Sequence, residues 1–341
     1  MMKKTKIKTT PKVNALRLFI AFGFASVLLL CLFFFAVGTG SLSVGPMEII
    51  EGLFFKENTN VEIIYDVRFP RIFIAIFGGM ALAVSGTLLQ AVMKNPLTDP
   101  GIIGISSAAA LVASIMTSLF PMLYFATPLF SMIGGVVAYI LIYSLAWDGG
   151  ANPTKLILVG VALNMTFLGI AQGIGAMGGS GMSTVQSIVS GNIVQKTWGD
   201  VHLLAFYGGV GLVLSLLTAR SCNLLALDDK TARGLGVNVD RDRFLVALVA
   251  ILLASITTAI VGVIGFLGLC VPHIARLIVG TNHKILIPFS ALIGASLLLF
   301  SDTLGRSLFY PYEVPAAVIM AIMGGPFLIF LLKLGGKTYG N

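Results

Sequence analysis

What most constrains this chain is a succession of apolar runs, each about as long as a bilayer is thick. A helix crosses roughly 30 Å of hydrocarbon with about 20 apolar residues. Ten runs meet that need, near 17–38, 71–93, 101–119, 122–146, 155–176, 201–220, 244–262, 265–281, 285–305 and 314–333. The third and eighth are interrupted by Gly, Pro or charge. Hydrophobic residues make up 57% of the sequence and charged ones only 11%, well away from soluble composition. The 39 glycines fit membrane helices, which tolerate Gly better than soluble helices do. The expected fold is therefore an all-α polytopic membrane protein. A short tail, 1–16, would precede one membrane domain, 17–333, and another, 334–341, would follow it. The basic start "MMKKTKIKTTPK" leads into a run too long for a cleaved signal peptide, so that run reads as a retained first span.

Lys and Arg set the expected orientation. With the N-terminus in the cytoplasm, seventeen of the 22 basic residues fall on the inner side. Lys56, Arg68, Arg71, Lys196 and Arg306 remain outside. This is the bias that cytoplasmic loops carry, and ten spans return the C-terminus to the cytoplasm. The net charge of +8 then follows from topology and calls for no nucleic acid.

Charge is densest at 228–243, "DDKTARGLGVNVDRDR", where eight of sixteen residues are ionised. Burying all eight would cost roughly 20–28 kcal/mol on an insertion scale, so the segment belongs in water, between the sixth and seventh spans. Asp229 and Arg233 stand i,i+4 with the acid first, the better order for a helix pair. Gly234–Leu235–Gly236 would stop that helix, and "NVDRDR" could start a second short one. A solvated loop and a helical element that docks a cytosolic partner both fit these residues. "NPLTDPG" (95–101) predicts a cytoplasmic turn, since Asn-Pro and Asp-Pro force the chain out of helix.

Other patterns lead nowhere. "GIGAMG" (173–178) has glycine spacing without a strand before it. "GGKT" (335–338) has Leu331 where a phosphate-binding loop needs its first Gly. No Cys or His spacing suits a metal or haem ligand set, and no catalytic constellation occurs. The chain is expected to bind no cofactor of its own, so energy must come from elsewhere. An ion-coupled transporter usually carries acids near the membrane midplane. Here Asp302 and Glu313 lie toward an outer end, which disfavours that alternative.

Three stretches identify a relative. "RFPRIFIAIFGGMALAVSGTLLQAVMKNPLTDPGIIGISSAAAL" (68–111), "GVIGFLGLCVPHIARLIVGTNHKILIPFSALIGASLLLFSDTLGR" (262–306) and "EVPAAVIMAIMGGPFLIFLLK" (313–333) closely resemble the permeases of ABC importers for iron chelates and cobalamin, the FecCD/BtuC type. The resemblance covers nearly everything after the first span. It implies ten spans per subunit, dimers of identical or related chains, and a bacterial cytoplasmic membrane. It further implies two cytoplasmic ABC ATPases that use the ATP and Mg, and an extracytoplasmic substrate-binding protein. Residues 228–243 become the coupling helices that fit the ATPase, with Asp228, Asp229, Lys230, Arg233, Gly234, Leu235, Gly236, Arg241 and Arg243 as contact candidates. Arg68, Arg71 and Arg306 match arginines that receive acidic residues of the binding protein; guanidinium suits that role through its planar fork. Otherwise Arg306 would pair with Asp302, four residues earlier, and Arg68 and Arg71 would anchor a helix end. The family lines its route with the fifth span and the short helix after it, pointing to Asn164, Gln172, Ser183 and Gln186, residues that could equally serve interhelical hydrogen bonds. The expected cargo is a ferric siderophore, with haem or cobalamin as alternatives.

Overall fold

The computed structural model describes residues 14–39, 59–146, 153–176, 182–308 and 312–335. Among them every regular element is helical: α1 (Ala15–Gly38), α2 (Thr59–Met93), α3 (Ile105–Leu119), a 3-10 segment (Pro121–Ala126) running into α4 (Thr127–Ala146), α5 (Pro153–Ala176), α6 (Met182–Ser190), α7 (Trp198–Leu217), α8 (Ala219–Leu225), α9 (Asp229–Gly234), α10 (Val239–Val261), α11 (Leu267–Val279), α12 (His283–Ser307) and α13 (Ala316–Gly335). Each of the ten apolar runs overlaps one of these helices. Among the described residues seven helical segments are long and apolar enough to cross a membrane alone, while α3, α11 and α13 are shorter apolar helices. The basic tail, Lys56, most of "GGKT" and the start of the glycine-rich segment after α5 lie outside the described residues.

Local chemistry explains where helices start and stop. Thr197 and Asp200 form a capping box at the head of α7, and the Asn238 and Asn282 side chains cap α10 and α12. Gly262 (φ +91°) and Gly280 (φ +85°) end α10 and α11 in backbone conformations that other residues avoid.

The two interrupted spans are short for a shared reason. Ahead of α3 the chain is a turn, as "NPLTDPG" predicts, and Asn95 Oδ1 accepts from Leu97 N at 2.9 Å. The turn's second half, Thr98 to Pro100, is buried instead of lying on the surface. Asp99 Oδ1 accepts from the amides of Gly101 (2.8 Å) and Ile102 (3.1 Å). Its Oδ2 faces the first turn of α11, so close that a Cβ on Gly268 would lie 2.9 Å away. A carboxylate at a helix N-terminus meets the positive end of the macrodipole. Gln90 completes the joint, donating from Nε2 to Thr98 O (3.2 Å) and Gly268 O (3.1 Å). Irregular backbone at depth is tolerated where protein satisfies its polar groups.

The bundle is organised around α2. In its most apolar window 78% of residues are buried, against 6% in α1 and 11% in α5. It packs on α7, α10, α11 and α12. Close contact with α12 depends on facing glycines, because a Cβ on Gly79 would sit 2.3 Å from Gly294 O. At 35 residues, α2 spans roughly 50 Å. It begins twelve residues before the apolar run does, so Arg68, Pro70 and Arg71 lie inside a continuous helix, not before it.

Candidate functional site

At one end of α2 the three candidate docking arginines gather with two acids. Arg71 is held on both sides. Its Nε donates to both Asp302 oxygens at 3.0 Å, Nη2 donates to Asp302 Oδ1 at 2.8 Å, and Nη1 reaches Glu313 Oε2 at 2.7 Å. Asp302 is fully buried in α12, while Glu313 is partly exposed ahead of α13. The i,i+4 pairing of Arg306 with Asp302 does not form, since the hydrogen bonds of Asp302 go to Arg71. Arg306 Nη2 donates to Ala36 O (2.8 Å), and Arg68 Nη1 donates to Val37 O (2.9 Å). Both acceptors belong to the last turn of α1, whose carbonyls have no partner within the helix. The arginines thus tie α1, α2, α12 and the head of α13 together. They are 7%, 7% and 8% exposed, lying beneath the surface of the subunit.

The charge-dense segment lies at the opposite end of α2. Asp228 precedes α9 in extended conformation, and Leu235 and Gly236 (φ +80°) terminate it, as the glycines predict. Two expectations change. The second helix is not a short separate element: from Val239 it continues as α10 to Val261. Nor do Asp229 and Arg233 pair. Arg233 bonds Asp240 at 3.2 Å across the turn. Asp229 instead accepts from Lys94 Nζ at 2.7 Å and from Arg243 Nη2 at 3.2 Å to each oxygen. Its carboxyl is held below the usual range, first by the Lys94 hydrogen bond and then by the Arg243 charge. Lys94 Nζ also donates to Leu227 O at 2.7 Å. Ala232 and Val239 are buried anchors, whereas Asp228, Lys230, Arg233, Gly234, Gly236 and Arg241 are exposed. Leu235, 64% exposed, forms an apolar tip among these charges. Such a tip, backed by fixed charges, has the form of a docking knob.

Three of the four pathway candidates have described side chains. Asn164 is half-buried on α5, with Oδ1 out of reach of any donor among the described residues. Gln172 on α5 and Gln186 on α6 are exposed, and the Ser183 side chain lies outside the described residues. Asn164 and Gln172 lie on α5, whose most apolar window is only 11% buried. Sequence reading missed Lys94 as a partner of the coupling segment. Its only local signal is a charge at the end of a span, and residue 229 lies far along the chain.

Known proteins resemble this chain in sequence and in fold. The model described as the FecCD transport family matches residues 28–333. The "Probable heme-iron transport system permease protein IsdF" of Staphylococcus aureus strain MSSA476 is 42% identical over 306 residues, covering 90% of this chain and 93% of that protein. Its counterpart in strain Newman is 43% identical over 313 residues, covering 90% and 95%. Among solved structures, an inward-facing metal-chelate type ABC transporter aligns with TM-score 0.76 at 27% identity, over 93% of this chain and 99% of that one. PsaBC from Streptococcus pneumoniae shares the fold at TM-score 0.57 and 19% identity, over 84% and 95%.

Proposed function

The chain belongs to the FecCD transport family, and from that premise we propose that it is the permease through which an ABC importer brings an iron chelate, foremost haem, across the bacterial cytoplasmic membrane. The observation that carries this reading is 42% identity to a haem-iron permease over 90% of the chain. The family resemblance put a ferric siderophore first; the relatives' names move haem ahead of it.

The proposed assembly has two permease subunits, two cytoplasmic ATPases and an external binding protein, with both termini of this chain in the cytoplasm. ATP and Mg are used on the ATPases. On the inner side, Leu235 and the flanking charges of 228–243 enter the ATPase surface. On the outer side, docking works by exchange. Because Arg68, Arg71 and Arg306 are internally engaged, an incoming carboxylate competes with partly exposed Glu313 for Arg71, while Asp302 keeps its hold. Asn164, Gln172, Ser183 and Gln186 line the route along α5 and α6. Any conformational switch needs contacts that differ between the inward- and outward-open states, and both ends of α2 offer such contacts.

The test is uptake by proteoliposomes holding this chain with its ATPase and binding protein. Haem should accumulate with ATP and continue when a protonophore is added. Accumulation of a ferric siderophore but not haem would replace the cargo. Collapse on adding the protonophore, with ATP still present, would remove the importer reading.

A further inference from the structure

Lys94 joins the inner end of α2 to the coupling segment, and we propose that it is a positioning residue of the transport cycle: the Lys94–Asp229–Arg243 clamp transmits ATPase motion to α2 as well as to α10. This rests on the coupling role proposed for 228–243.

Three observations carry it. First, the clamp grips the coupling segment at its start and at the residue just ahead of it. One Lys94 Nζ binds both the Asp229 carboxylate and Leu227 O, at 2.7 Å each, on either side of the α9 N-terminus. Second, Lys94 is fixed where it leaves α2. Its φ of +49° is unusual for a residue with a side chain, and the turn that follows is pinned by the Asn95 side chain and by Asn95 N bonding Gln90 O. A displacement of α9 is therefore not absorbed by a slack linker. Third, α2 is the most buried of the spanning windows, and its other end is gripped by Asp302 and Glu313 through Arg71. One rigid helix thus runs between the two places where partners are proposed to dock.

The alternative carrier is α10, which continues directly from the coupling segment. Through α10 alone, the ATPase would move one wall of the bundle. With the clamp, the same displacement also reaches the central helix. Arg243 holds the other side of Asp229, so one carboxylate ties α2 and α10 to α9 together. Lys94 and Asp229 are both partly exposed, and exposed ion pairs contribute little to stability. Losing the clamp should leave folding intact and appear in coupling.

The experiment uses the full importer in proteoliposomes, comparing K94M, K94R, D229N and the double variant K94M/D229N with wild type. Two readings are taken: haem imported per ATP hydrolysed, and the ATP-driven change in distance between spin labels at the outer ends of α2 and α5. K94M should lower import per ATP at least fivefold, with hydrolysis within twofold of wild type, and should abolish the distance change. K94R should recover at least half of both. The double variant should be no worse than the poorer single one, as residues acting through one contact are. Wild-type coupling and an unchanged distance response in K94M overturn the clamp. Should wild type import no haem, the proposed cargo falls, and the clamp is judged on the distance response alone.

Discussion

Arg71 shows how far a buried charge depends on its partners. Asp302 is sealed inside the bundle and binds Arg71 through three hydrogen bonds, while Glu313 reaches the same guanidinium from the rim. Removing one member of a buried pair leaves the other charge without compensation, at a cost of about 3–5 kcal/mol. A rim contact is worth about 1 kcal/mol or less. R71Q and D302N should therefore both lower the unfolding midpoint of the detergent-purified subunit clearly, and E313Q should hardly move it. The exchange model of docking adds a second expectation. E313Q should leave Arg71 easier for an incoming carboxylate to reach and tighten binding-protein association. A large stability loss in E313Q would show Glu313 to be a structural partner equal to Asp302, with no exchange available.

Among the elements, glycines decide which helices meet. Gly79 and Gly294 bring α2 and α12 into backbone contact: a Cβ on Gly294 would sit 2.3 Å from Gly79 O and 2.4 Å from the Ala83 Cβ. Small residues permit such approach in membranes. G79A or G294A must push the helices apart, and overpacking of this kind costs about 1–3 kcal/mol. Gly209 on α7 has no atom within 4 Å of a Cβ, so G209A should be neutral or gain up to about 1 kcal/mol from helix propensity. Thermal unfolding of the three variants in one detergent makes the comparison. The spans themselves were legible in the sequence because apolar length reports where hydrocarbon begins and ends. That signal misses helix past the hydrocarbon, which is why α2 starts at Thr59 and α10 at Val239, well before their apolar runs. The breaks in the third and eighth spans were legible as Gly and Pro. That Asp99 of one break faces the first turn of the helix after the other was not, since one sequence does not say which turn meets which. The same blindness hid Lys94 opposite Asp229 and offered Asp302, in the alternative to docking, only its near neighbour Arg306 and not Arg71 on another helix.

For the whole molecule, burial alone leaves two spans without cover, and chemistry separates them. Past Arg17 in its first turn, the exposed large side chains of α1 are apolar, among them Phe19, Phe24 and Phe34, which suits hydrocarbon. The exposed residues of α5 include Gln172 as well as Leu158, Met165 and Ile170, and half-buried Asn164 has an Oδ1 with no donor among the described residues. A polar side chain at membrane depth faces a protein interior or a water-filled cavity, because hydrocarbon offers it no hydrogen bond. In the assembled importer α5 is therefore expected to border the second subunit and the route between them, with α1 on the lipid side. In a background with Cys31, Cys222 and Cys270 replaced, N164C should react with a charged, water-soluble maleimide, and bound haem should slow that reaction. F24C should stay unlabelled by the charged reagent yet react with a lipid-soluble one. If N164C behaves as F24C does, α5 borders lipid, and Asn164 loses its place along the route.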